Sequence, residues 1–387
     1  MKKTLAVACL AWMLGAGSAE GSGSAPVAGN EATRTDTAQA TGHAPLRVEK
    51  IAPNFTLEQL APNVYAFISN NTTHAWEDGN TTVIVGDRCV AVVDAPANYL
   101  AKLHLAQIRK ITSKPVCYVI NTHSHRDHVL GNYLYKDAFP NALIVQQDYT
   151  AQISDRVNPA AIDALKGKAS ADQLKQMQEA ASTGIGPDGK PLTGYDLERA
   201  KRSYAEQVPV LKDASEARYV SADVTFSDSM TIKLGGTELK LQHMVGHTFG
   251  DTVVWLPREK ILIAGDLVIA PVPYGGGSKH YDEWADSLDR LIAFDATAIV
   301  PGHGEVEYSN AYMSLERDLF RSLVEQAVAA VTNQATLDDF RKSLDLTKFE
   351  TTLVHGDPEL QWGWDNYFIG KGNALAAQAY GHAHGDF

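Results

Sequence analysis

A chain of 387 residues with 44% hydrophobic and 21% charged positions has the balance of a globular protein, which excludes wholesale disorder and a fibrous repeat. The formal net charge of −12 disfavours nucleic acid as a partner, because a duplex binder needs a basic face to displace counterions. No apolar run reaches the roughly 18 residues that a spanning helix requires, so no membrane span is expected. Met1 to Ala19 reads as a secretory signal: Lys2 and Lys3, an apolar core from Leu5 to Leu14, then Gly17, Ser18 and Ala19 before Glu20. On this reading the mature protein is exported to the periplasm or the medium. Residues 20–50, dominated up to about Pro45 by Gly, Ser, Ala and Thr, are expected to be a flexible linker. A catalytic domain is placed at 51–310, with order beginning near Phe55, and a helical extension at 311–387.

Three short strands come first, at Asn63 to Ser69, Thr81 to Val85 and Cys89 to Asp94, divided by the turn formers Asp78-Gly79-Asn80 and Gly86-Asp87. Leu100, Leu103, Ile108 and Ile111 recur at helical spacing within Asn98 to Thr112, and an apolar strand follows at Val116 to Ile120. Strand, helix, strand implies a parallel crossover. From about Tyr149 to Val220 the pattern is helical and polar. This insertion is placed either to restrict access to a site or to build an oligomer contact, alternatives the sequence leaves open. Strands resume at Met230 to Leu234 and Glu238 to His243, joined by Gly235-Gly236, then at Val253 to Leu256 and Ile261 to Ala264. A helix from about Asp282 to Phe294 leads to the strand Ala298 to Val300, and the tail beyond Asn310 is mostly helical. The expected architecture is a layered α/β sandwich. Cys89 and Cys117 are expected to be two unpaired small core residues rather than a bridge.

The chemistry concentrates after the strand Val116 to Ile120, in Asn121-Thr122-His123-Ser124-His125-Arg126-Asp127-His128. In an extended chain His123 and His125 point the same way, so both can face one cation, while Asp127 and His128 face a second. Neutral imidazole with carboxylate is a borderline ligand set that suits zinc, with iron or manganese as alternatives. Gly246-His247-Thr248, Gly265-Asp266 and Pro301-Gly302-His303-Gly304 each follow a predicted strand, where sites assemble in open α/β sheets. No serine nucleophile motif is present, which points to water as the nucleophile, activated by a pair of cations.

With these motifs in order, His-x-His-x-Asp-His, Gly-His-Thr, Gly-Asp and Pro-Gly-His-Gly, the sequence resembles the metallo-β-lactamase superfamily over about Phe55 to Glu305. The resemblance implies a four-layer αββα sandwich and two zinc ions per chain. One would sit on His123, His125 and His247, the other on Asp127, His128 and His303, with Asp266 bridging them. Asp127 would also be catalytic, and Asp94 would be the carboxylate that orients the ligands. The expected reaction is hydrolysis of a small-molecule substrate at a carbonyl centre. A β-lactam-like cyclic amide is placed first, and a lactone, ester or thiolester second. A mononuclear iron persulfide dioxygenase is the reading from another class.

Substrate contacts are expected from loops. His74 and Trp76 lie in the stretch Asn70 to Gly79, a potential flap, and Arg126 lies inside the metal motif. Tyr274, Lys279 and Tyr281 occupy or adjoin a Gly-rich loop after Asp266. The aromatic group Trp362, Trp364, Tyr367 and Phe368 is read as the packing face of a terminal helix, and His382 and His384 as a solvated tail.

Overall fold

The structure is a computed structural model that describes residues 44–52, 54–69, 78–96, 98–274, 278, 280–370 and 372–385. The expected signal segment, most of the linker, His74, Trp76 and Lys279 lie outside the described residues.

Two sheets form the centre of the molecule. The first runs in chain order from β1 (Arg47–Ala52) through β2 (Phe55–Ala61), β3 (Val64–Ser69), β4 (Thr81–Val85), β5 (Val90–Val93), β6 (Val116–Ile120) and β7 (Leu143–Gln147) to β8 (Val224–Phe226). Its pairing is antiparallel up to β5 and parallel from β5 to β8. The crossover between β5 and β6 is α1 (Asn98–Ile111). Two short helices, α2 (Arg126–Val129) and α3 (Asn132–Ala138), separate β6 from β7. The second sheet has the order β13-β12-β11-β10-β9, made of β9 (Ser229–Leu234), β10 (Thr237–Met244), β11 (Asp251–Leu256), β12 (Ile261–Ile269) and β13 (Ala298–His303). Only β12 and β13 are parallel in it, because α7 (Tyr281–Ile292) carries the chain back between them.

Period-two alternation decides which layer each side chain enters. In β5, Ala91 and Val93 face the second sheet and join Leu239, Leu241, Val254, Ile263 and Val300, whereas Val90 and Val92 face α1 and meet Leu105 and Ile108. Buried on both sides, β5 reads as an unbroken Val-Ala-Val-Val run. On the far side of the second sheet, Val253 and Leu262 pack against Trp284, Leu288 and Leu291 of α7 and Leu319, Phe320 and Leu323 of α8 (Ala311–Thr332). Each of these large side chains stabilises the fold by roughly 1.5–3 kcal/mol. The result is the αββα sandwich.

Between β7 and β8 the chain inserts α4 (Asp148–Leu165), α5 (Lys168–Thr183) and α6 (Gly194–Asp213). Ile162, Leu165 and Val210 of this insertion close over Leu130 and Tyr133. After α8 the tail continues as α9 (Leu337–Ser343), α10 (Thr347–Val354), α11 (Pro358–Gly363), a π-helical turn (Trp364–Ile369) and α12 (Ala374–His384). Among the described residues no helix is long and apolar enough to cross a membrane.

Three expectations are corrected. Order starts at β1, before Phe55: Arg47 to Ala52 pair with β2, so the boundary drawn at 50/51 cuts a strand. The strand β2 was missed because its Glu58 interrupts the apolar pattern, yet Glu58 is buried and accepts a hydrogen bond from the Tyr308 hydroxyl at 2.9 Å. Cys89 and Cys117 are joined in a disulfide, since the pairing of Val90 with Val116 sets their Cα atoms 5.8 Å apart.

Candidate metal centre

The ends of β5, β6, β12 and β13 meet at one edge of the sandwich, and backbone hydrogen bonds tie the two sheets together there. The amide of Thr252 donates to the carbonyl of Thr122 at 2.7 Å, and the amide of Asn80 donates to Gly302 at 2.7 Å. The Asn80 side chain donates to the carbonyls of Pro301 and Gly304, which fixes the turn that presents His303. Asn121 holds the histidine segment from within, its amide donating to the carbonyl of His128 at 2.9 Å. Close approach requires glycine twice. A Cβ on Gly302 would stand 1.8 Å from Asp266 Oδ1, and one on Gly265, whose φ is +56°, would stand 2.6 Å from Thr122 Cβ.

On this frame the structure brings together all seven residues singled out as ligands. His123, His125, His247 and Asp266 offer ligand atoms within 4.8 Å of one another, and Asp127, His128 and His303 form a second such group. His247 Nε2 lies 2.9 Å from His125 Nδ1 and 3.3 Å from Asp266 Oδ2. In the second group, His303 Nε2 is 3.1 Å from Asp127 Oδ2 and 3.3 Å from His128 Nε2. Asp266 joins the two groups, with Oδ1 at 3.1 Å from His128 Nε2 and Oδ2 at 3.6 Å from His123 Nε2.

Asp94 sits behind this array at φ +63°, in the left-handed region that Asp and Asn tolerate better than most residues. It accepts from the Thr122 amide at 2.7 Å and the Thr122 hydroxyl at 2.8 Å, and pairs with His128 Nδ1 at 2.8 Å. That contact places the His128 proton on Nδ1 and turns Nε2 towards Asp266. Asp78 stands behind His303 at a looser, ion-pair distance, its Oδ1 3.5 Å from Nδ1. In the sequence Asp78 reads only as a turn former, because the two residues are 225 positions apart. Trp284 backs His247, with ring centroids 5.6 Å apart.

The charges divide along the same lines. Burial, reinforced by neighbouring His128, holds His123 well below the usual histidine range, and burial takes His247 down to about 3. Burial also opposes charge on His128 and His303, but Asp266 and Asp127 overcome it and hold both well above that range. Burial would raise Asp127 and Asp266; His128 foremost, with His303, holds both well below the ordinary carboxylate value. His123 Nε2 and Asp266 Oδ1 are buried with no hydrogen-bond partner among the described residues, and both point into the array. Buried polar atoms need partners. Imidazoles and carboxylates that face one another fit a pair of divalent ions, with His128 and His303 giving up their protons on binding.

An αββα sandwich with a two-group His/Asp site at its edge defines a class, and the comparisons agree. The sequence model described as "Metallo-beta-lactamase superfamily" matches residues 74–303, and the chain belongs to that superfamily. A linear primary-alkylsulfatase of Pseudomonas sp. is 24% identical over 292 residues, covering 69% of this chain and 52% of its own. A metallo-β-lactamase type 2 of Bacteroides fragilis is 31% identical over 118 residues, 29% of this chain and 47% of its own. The chain thus spans about half the length of the curated relatives it matches. Among solved structures, a stereoselective inverting sec-alkylsulfatase of Pseudomonas sp. superposes with a TM-score of 0.55 at 15% identity, covering 88% of this chain and 50% of its own, which shows the shared fold.

The proposed substrate contacts fare unevenly. Tyr274 lies beside the site, its ring 6.1 Å from that of His247, and is partly exposed. Arg126 opens α2 and is partly buried next to the ligands. Tyr281 is corrected: it is 1% exposed, stacks on Trp284 and donates to Gln378, because the first turn of α7 turns it into the core. His382 and His384 form the last turn of α12 rather than an irregular tail; His384 is exposed as expected, while His382 is partly buried with its Nε2 3.2 Å from Asp282.

Proposed function

We propose that this protein is an exported, zinc-dependent hydrolase with two metal ions per chain, acting on a β-lactam-like cyclic amide. The observation that carries the reading is the sharing of Asp266 between two ligand groups that use seven side chains in all. Two zinc ions, when bound, supply Lewis acidity and lower the pKa of water towards neutrality. Asp127, kept ionised by His128 and His303, orients water through its carboxylate and passes the proton of that water to the leaving nitrogen. Asp94 holds His128 in fixed orientation, so that side of the site needs little rearrangement during reaction. Export is supported by the pattern of residues 1–19.

A second reading, hydrolysis of an alkyl sulfate ester, is favoured by the match to an alkylsulfatase over 69% of the chain. A panel on the zinc-loaded protein separates the readings: a cephalosporin, a carbapenem, an acyl homoserine lactone, a thiolester and an alkyl sulfate. Turnover of a lactam, abolished by Asp127→Asn with the fold retained, supports the first reading. Turnover of the alkyl sulfate alone replaces it with the second, and oxygen consumption with one bound iron removes both.

A further inference from the structure

The four aromatic residues near the C-terminus do not share one role. Trp364 and Phe368 are 2% and 0% exposed and pack into the core, Phe368 beside Phe320. Trp362 and Tyr367 stay partly exposed on the other side, edge to face with ring centroids 5.0 Å apart. Tyr367 in turn lies 5.4 Å from Tyr274, the residue next to His247. It also feels the charge of Asp78, the carboxylate behind His303. A row of aromatic rings therefore leads away from both ligand groups.

At the far end of the row stands a cation. Arg199, on α6 of the helical insertion, sets its guanidinium 3.6 Å from the centroid of Trp362. One turn further on, Arg202 is paired with Glu359, and that contact docks α6 on α11. Arg199 makes no ion pair among the described residues, although it is partly buried and lies close enough to Tyr367 for its charge to act on that phenol. Burial lowers its pKa, and the nearby charges of Glu359 and Asp196 only partly offset that burial without forming an ion pair with it. Stacking on an indole engages the face of the guanidinium and leaves its N–H fork free, in the geometry that matches a carboxylate or sulfate with two hydrogen bonds.

We infer that Arg199 is the anion-binding residue of the substrate site, receiving a carboxylate or sulfate carried on an apolar spacer that lies along Tyr274, Tyr367 and Trp362. The inference rests on the hydrolase reading of the metal centre and adds its substrate class, an elongated amphiphilic anion. It also gives the insertion and the C-terminal extension a shared purpose, since one supplies the cation and the other the wall.

The test uses the full chain loaded with metal and measures calorimetric Kd values for octanoate and octyl sulfate, below their micelle concentrations, against neutral octanamide. Arg199→Ala should weaken the preferred anion about 10- to 100-fold, as loss of a charged hydrogen-bonding partner does, and leave octanamide within about twofold. Arg199→Lys should fall between the two, keeping charge without the fork. The ratio of the two anion affinities in the unmodified protein decides between carboxylate and sulfate. Equal weakening of anion and amide, as a merely structural stacking role would give, overturns the inference. So does an unchanged anion affinity, or an unmodified protein that binds neither anion. Turnover is read separately, so anion discrimination without hydrolysis of any panel member removes the hydrolase reading and leaves the subsite standing.

Discussion

Replacing Asp94 by Asn removes one charge while keeping the shape of the side chain. The backbone should tolerate it, because Asn accepts φ +63° as readily as Asp. The amide oxygen can retain the bond from the Thr122 amide, but its NH2 group then faces His128 Nδ1 where an acceptor stood 2.8 Å away. His128 must either lose that bond or move its proton to Nε2, the atom 3.1 Å from Asp266 Oδ1. Loss of a charge-assisted hydrogen bond costs about 1.5–3 kcal/mol, which corresponds to roughly 10- to 150-fold in affinity. The ion held by Asp127, His128 and His303 should therefore weaken about 10- to 100-fold, and the ion on His123, His125 and His247 only a few fold. Competition with a chelator of known affinity resolves the two binding steps, and the melting temperature checks the fold. Two unchanged affinities in a folded variant would refute the assignment of Asp94 as the group that sets the His128 tautomer.

Gly302→Ala should displace the Asp266 carboxylate, given the 1.8 Å approach, with loss of metal content and about 1–3 kcal/mol of stability; Gly363→Ala, where a Cβ meets nothing within 4 Å, should change neither. Metal binding should release protons at neutral pH, because His128 and His303 hold theirs above the usual range near 6.5 and must give them up to become ligands. Calorimetry in buffers of different ionisation enthalpy reads that release, and metal affinity should fall as pH is lowered. Glu316 is buried on α8, and burial pushes its carboxyl well above the ordinary value. The folded state then binds a proton that the unfolded state has lost, so stability should decline as pH rises above about 4.3. Glu316→Gln should remove that decline in melting temperature across pH 5 to 9, and an unchanged slope would contradict the assignment.

How much of this was legible in the sequence depends on how local each signal is. His123, His125, Asp127 and His128 fall within one short turn after a strand, and His247, Asp266 and His303 each stand beside a glycine at a strand end, so pattern alone identifies them. Strands with uniform apolar character, such as β5 and β6, were equally plain. What the sequence hid are features that depend on a partner far along the chain. Glu58 disguises β2 until Tyr308 is seen to satisfy it, and Asp78 gains its role only from the position of His303. The disulfide follows from the parallel register of β5 and β6, and the exposed face of Trp362 acquires meaning only when the insertion brings Arg199 over it. Tyr281 misled for the converse reason: it stands beside a Gly-rich loop, but helix phase turns it inward.

The central claim is that seven side chains from both sheets hold two metal ions that share Asp266. Elemental analysis of the purified, zinc-loaded protein tests it most directly. About two ions per chain are expected, falling to about one in His247→Ala and in His303→Ala while the fold is kept. One ion per chain in the unmodified protein, or two ions that survive both substitutions, would contradict it.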